Sequence, residues 1–127
     1  MLHLIASIAA AISSQELVGG GSDYGEAVGI YEDRIFVGAT GSNEVYVFTD
    51  EMRTGWSMHQ IITVNTTTDN DEFGESIAVS ADYLVIGARG AGSAYVFVES
   101  DTAPGNYTLL PFSFRASLIQ NVAKVST

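Results

Sequence analysis

The chain contains no cysteine, which excludes disulfide staples and thiolate chemistry and leaves the redox compartment unread. Proline is almost as scarce, with two residues against thirteen glycines. That balance, in a chain well supplied with Val, Ile, Tyr, Phe and Thr, favours strands joined by tight turns. Basic residues are few as well. Five Lys and Arg stand against fifteen Asp and Glu, a formal net charge of −10. Such a chain repels polyanions, which argues against nucleic-acid binding and biases it toward cations or basic surfaces. Only two histidines are present. His3 lies in an apolar run and His59 in a strand-like stretch between Met58 and Gln60, so neither is placed for a catalytic triad. No Asp or Glu falls in an unusual apolar setting that would mark a glycosidase pair. An enzyme is not expected.

What is present is enough for a core: 46% hydrophobic residues and 10% aromatics in 127 residues, one domain at most. The run Met1 to Ile12 is apolar and alanine-rich. Its length suits the centre of a signal peptide and is too short for a membrane span. It lacks the basic n-region, and a degenerate strand of an earlier repeat is the alternative. Asn65-Thr66-Thr67 and Asn106-Tyr107-Thr108 match the N-glycosylation acceptor pattern.

An internal repeat carries the argument. Set Tyr24 against Phe73 and the chain aligns with itself at a constant offset of 49, without a gap, from residue 24 to residue 50. Tyr24-Gly25-Glu26 meets Phe73-Gly74-Glu75, Gly38-Ala39 meets Gly87-Ala88, and Tyr46-Val47-Phe48 meets Tyr95-Val96-Phe97. Each copy reads as three short strands and a fourth that follows, at Trp56–Val64 after the first and at Asn106–Leu110 after the second. A fainter echo, Gln15-Glu16-Leu17-Val18, precedes copy one much as Gln60-Ile61-Ile62-Thr63 precedes copy two. The second and third strands of each copy are apolar on both faces. They must therefore be covered on both, as happens when antiparallel sheets stack face to face. About two residues, Glu32-Asp33 and Ala81-Asp82, separate strands one and two, a hairpin length.

These residues resemble the FG-GAP repeat of integrin-type propellers. Its two signatures are an aromatic-Gly at the start, here Tyr24-Gly25 and Phe73-Gly74, and a Gly-Ala after the second strand, here Gly38-Ala39 and Gly87-Ala88. The third signature residue departs, with Thr40 and Arg89 in place of proline. The resemblance implies a β-propeller, commonly of seven blades, used in adhesion and ligand recognition outside the cell. It also implies calcium in an Asp-rich loop between the first two strands. The two residues available there in each copy are too few, so that loop is not carried over and no cofactor is expected. The acidic run Asp69-Asn70-Asp71-Glu72 is the remaining metal candidate, through Asp69 and Asp71. It lacks the glycine and the closing glutamate of a calcium loop, and reads better as a solvated loop. Gly19-Gly20-Gly21 lacks the lysine and helix of a phosphate cradle. Trp56, with Tyr107 at the matching place, is the aromatic candidate for a sugar- or protein-binding surface.

The expectation is therefore an all-β partial propeller of about two four-stranded antiparallel blades. Residues 1–13 form a leader or degenerate strand, 14–64 blade one, 65–110 blade two, and 111–127 an out-of-pattern tail. Two blades cannot close a ring, so the segment belongs with further blades in cis or, alternatively, with other copies in trans. The function expected is non-catalytic recognition of protein or glycan, extracellular or at the cell surface. The alternative is a structural blade pair scaffolding a larger multidomain protein or enzyme.

Overall fold

The computed structural model describes residues 14–65 and 68–115. It holds eight strands: β1 Tyr24–Tyr31, β2 Arg34–Ala39, β3 Glu44–Thr49, β4 Ser57–Ile62, β5 Phe73–Val79, β6 Leu84–Ala88, β7 Ser93–Glu99 and β8 Tyr107–Arg115, with a 3-10 turn at Arg89–Ala91. They form two four-stranded antiparallel meanders, β1-β2-β3-β4 and β5-β6-β7-β8. The repeat thus becomes two blades, and residues 49 apart occupy the same place in each. Left-handed backbone repeats with it: Asp23 and Glu72 have φ of 54° and 55°, Gly25 and Gly74 of 98° and 96°, Asn43 and Gly92 of 54° and 63°.

β2 and β3 are buried along nearly their whole length, as strands apolar on both faces require. One face of the first sheet presents Phe36, Val45, Val47, Ile62 and Val64 to the second. The second answers with Phe73, Leu84, Ile86, Tyr95, Phe97 and Tyr107. This interblade layer is the main core, and the Phe36 and Tyr107 rings meet edge to face across it at 5.2 Å. The opposite face of the first sheet carries a smaller cluster of Val37, Ala39, Tyr46 and Phe48, partly covered by Leu17, Tyr24 and Trp56. The rings again repeat: Tyr24 on Tyr46 at 5.3 Å and Phe73 on Tyr95 at 5.5 Å, both edge to face.

Both expected hairpins form. Tyr31 pairs with Arg34 around Glu32-Asp33, and Ser80 N donates to the Tyr83 carbonyl at 2.9 Å around Ala81-Asp82. One boundary moves. β8 runs to Arg115, five residues beyond the expected end of blade two, so the start of the presumed tail is strand. Leu109 pairs with Phe97 and Ser113 with Tyr95, with a register shift between them. The bulge absorbs Pro111, which cannot donate to a ladder. Residues 1–13 and 116–127 lie outside the described residues.

Candidate functional site

The signature residues turn out to build a joint between blades. At the start of β5 the chain needs φ = +96° at Gly74, where an L side chain is strained, and this opens a bulge between Phe73 and Ser76 in the pairing with β6. The Gly74 carbonyl then lies against Gly38 of the first blade. A Cβ on Gly38 would land on that oxygen. Phe73 beside it is fully buried. The aromatic-Gly of one blade and the Gly-Ala of the blade before it are therefore two halves of one contact.

Two amides lock the joint. Buried Asn43, in the β2–β3 turn, accepts from the Phe73 backbone N–H at 2.9 Å and donates from Nδ2 to the Thr68 carbonyl at 2.8 Å. Gln60 on β4 accepts from Tyr107 N–H at 2.8 Å and donates to the Tyr107 carbonyl at 2.9 Å. Gln15 makes the same pair of bonds to Trp56, accepting at 2.8 Å and donating at 2.6 Å. Residues 15–18 are not a strand, yet they lie against the first blade as the end of β4 lies against the second. A buried ion pair closes the joint at its other end: Arg34 bridges its neighbour Asp33 and Glu99 of the second blade. Burial works against the Arg34 charge, but the Glu99 and Asp33 carboxylates outweigh it and hold the guanidinium ionised.

The loops at the β1–β2 end carry the open grooves. One of about 590 Å³ is lined by Glu32, Asp33, Asp50, Glu51, Arg53 and Trp56. A second of about 450 Å³ shares Asp50, Arg53 and Trp56 and adds Gln15, Leu17 and Ile35. Trp56 is half-buried between them, presenting a ring to a wall of carboxylates. Tyr107, its repeat partner, is placed differently from expectation. It is 4% exposed in the interblade core and is no surface binding group. Burial, and after it the Glu99 charge, push its hydroxyl up to about 12. The difference has one cause: the second blade is covered by the first, whereas among the described residues the first is met on its outer side by Gln15, Leu17 and Gly19 to Gly21.

The remaining candidates separate. Asp71 is engaged within its own loop, its carboxylate accepting from Thr68 N–H at 2.7 Å and Thr68 Oγ1 at 2.8 Å. Asp69 is exposed nearby. Among the described residues no group of three or more His, Asp or Glu is arranged to hold a metal ion. His59 Nε2 lies 2.9 Å from Asn106 Oδ1. Both sequon asparagines, Asn65 and Asn106, are exposed. Asn43, Gln60, Gln15 and the Arg34–Glu99 pair are the residues that sequence reasoning missed.

Residues 56–97 match the family model of the FG-GAP repeat. No curated protein and no solved structure matches the chain. The matched segment begins with β4 of the first sheet and ends in β7 of the second, and so contains Phe73-Gly74, Gly87-Ala88 and the Gln60 lock. The chain therefore carries an FG-GAP repeat, formed from the last strand of one blade and the first three of the next.

Proposed function

We propose that the chain is a non-catalytic β-propeller-type segment that recognises a protein or a glycan outside the cell, through the loops at its β1–β2 end. The observation that favours this is the pair of grooves meeting at Trp56. An aromatic ring flanked by Glu32, Glu51, Asp50 and Arg53 offers stacking and charged hydrogen-bond partners to a sugar or a basic side chain. The exposed sequons at Asn65 and Asn106 fit a secreted setting. Trp56 is the sole tryptophan, so its emission reports on the grooves without a label. Titration with neutral oligosaccharides and with short lysine-arginine peptides should give saturable quenching or a spectral shift. The Glu32→Gln/Glu51→Gln variant should weaken peptide binding, and Trp56→Phe should weaken binding of either class when followed by calorimetry. Absence of saturable binding to both classes refutes recognition at this end.

The structural-scaffold alternative is favoured by a separate observation. Val28 and Ile30 on β1 are 62% and 66% exposed, as befits a face made to be covered.

A further inference from the structure

The interblade joint consists of a knob and a seat. The knob is Phe73-Gly74, and the seat is Gly38 with the Glu44 carbonyl and the Val45 side chain, all close around Gly74. The chain holds the same two halves a second time, unjoined among the described residues. Gly25 repeats the Gly74 backbone at φ = +98°, and nothing lies within 4 Å of where its Cβ would be. Gly87 repeats Gly38 but is only half-buried. It opens, with Ser76, Gly92 and Ala94, on a groove of about 280 Å³. Beside the free knob, Val28 and Ile30 are exposed, whereas Ile77 and Val79 at the same repeat positions pack into the interblade core.

We propose that the free knob of one copy seats in the free socket of a second, joining chains head to tail. Such a contact is heterologous and continues until a ring closes. On the socket side, Ala78 stands where Gly29 lies close against Ile77, so the incoming Val28 has less room than Ile77 has. The Ser76 hydroxyl, the nearest atom to a Cβ on Gly87, can rotate aside.

Three features make this joint weaker than the internal one. Gly92 replaces Asn43, so the amide lock on the incoming knob is missing. Leu110-Pro111 stands where β4 carries its glutamine lock. Residues 15–18 also occupy the place that the partner's β8 needs, held by Gln15 and by Leu17 in the apolar cluster. They act as a removable plug, and assembly requires them to move. The net charge of −10 opposes association at low salt, and ions screen it over a Debye length of about 10 Å at 0.1 M.

The test is the mass of the full chain by light scattering over a concentration series at low and raised salt. The weight-average mass should rise from 13.5 kDa to at least twice that, more readily at raised salt. Leu17→Ser, which loosens the plug, should lower the concentration needed. Gly87→Ala in the socket, and separately the Val28→Thr/Ile30→Thr pair beside the knob, should restore the single-chain mass. Circular dichroism on each variant checks that the strands persist. A single-chain mass under all conditions for both parent and Leu17→Ser overturns the proposal. So does an association that the socket and knob variants leave unchanged, which would be unspecific contact.

Discussion

Asn43 is where the joint can be tested most sharply, because its two hydrogen bonds differ in what their loss leaves behind. The Phe73 N–H that it satisfies belongs to a residue with no exposed surface, so losing the acceptor strands a buried donor, worth about 1–3 kcal/mol. The Thr68 carbonyl that it bonds belongs to an exposed residue and can turn to water. That loss is worth about 0.5–1 kcal/mol. Asn43 also sits at φ = 54°, a left-handed conformation that asparagine tolerates and alanine resists by roughly 1 kcal/mol. Asn43→Ala should therefore destabilise by about 3–4 kcal/mol. Asn43→Asp keeps the acceptor for Phe73 but, ionised, turns a buried carboxylate on the Thr68 carbonyl. It is therefore compared with the alanine variant at about pH 3, where the protonated carboxyl can donate there and the loss should be only about 1 kcal/mol. Asn43→Gly, the residue found at the same place in the second blade, removes both bonds without the backbone strain and should fall between them. Urea unfolding at low protein concentration reads this as a shift in midpoint at unchanged slope. A drop in slope would show the two blades melting separately, since repeat arrays are held by nearest-neighbour contacts. An alanine variant within about 0.5 kcal/mol of the parent, or an aspartate variant as damaged as the alanine one, refutes the role assigned to the amide.

Three other outcomes follow from the same joint. Gly38→Ala should destabilise by roughly 1–3 kcal/mol, because its Cβ meets the backbone oxygen of Gly74. Gly87→Ala meets only a rotatable serine hydroxyl and should cost less than about 1 kcal/mol; equal losses would show that Gly38 is not special to the joint. Tyr107 is held protonated to about pH 12, while an unfolded tyrosine ionises near 10. Its stabilisation is thus complete below pH 10 and is lost as pH climbs toward 12, at most about 2–3 kcal/mol. Urea midpoints between about pH 9 and 11.5 should fall less steeply in Tyr107→Phe than in the parent. Glu99→Gln leaves the buried Arg34 guanidinium with one carboxylate and should destabilise by about 2–3 kcal/mol, with little relief from salt. A loss that disappears in 1 M salt would place the pair at the surface instead.

Much of the fold was legible because the repeat supplies it twice. The offset of 49 residues aligned six of the eight strands, and the paired Gly25 and Gly74 marked the left-handed backbone that starts each sheet. What escaped detection lies where the copies differ. Asn43 faces Gly92, and Gln60 has no glutamine opposite it in β8, so an alignment of the chain with itself gave those positions no weight. They differ because only the first blade has a following blade in the described structure to hold. Trp56 and Tyr107 are equals by repeat position, although a blade covers Tyr107 while, among the described residues, Gln15 and Leu17 partly cover Trp56. Arg34 and Glu99 sit in different blades, and no local pattern links them. Blade two reads as ending at Leu110 because the repeat pattern dissolves after it, whereas β8 continues to Arg115 through a bulge that accommodates Pro111.

These differences bear on what an FG-GAP signature encodes. Its two halves lie in the same sequence repeat, yet the contact they make is between consecutive repeats: Gly74 of the second blade on Gly38 of the first. Gly38 and Gly74 are thus interface residues, required because two backbones approach too closely there for a side chain. A blade with both halves is competent to join on two sides, and each side is completed only by a neighbour. The exposed Val28 and Ile30, the open socket at Gly87 and the plug at Gln15 to Val18 are three consequences of that single rule at the two faces left over. Among the described residues one such joint is complete, and the main core is buried in it. A substitution there should perturb both sheets, and the same substitution at the matching residue 49 positions away should be felt only when a neighbour arrives.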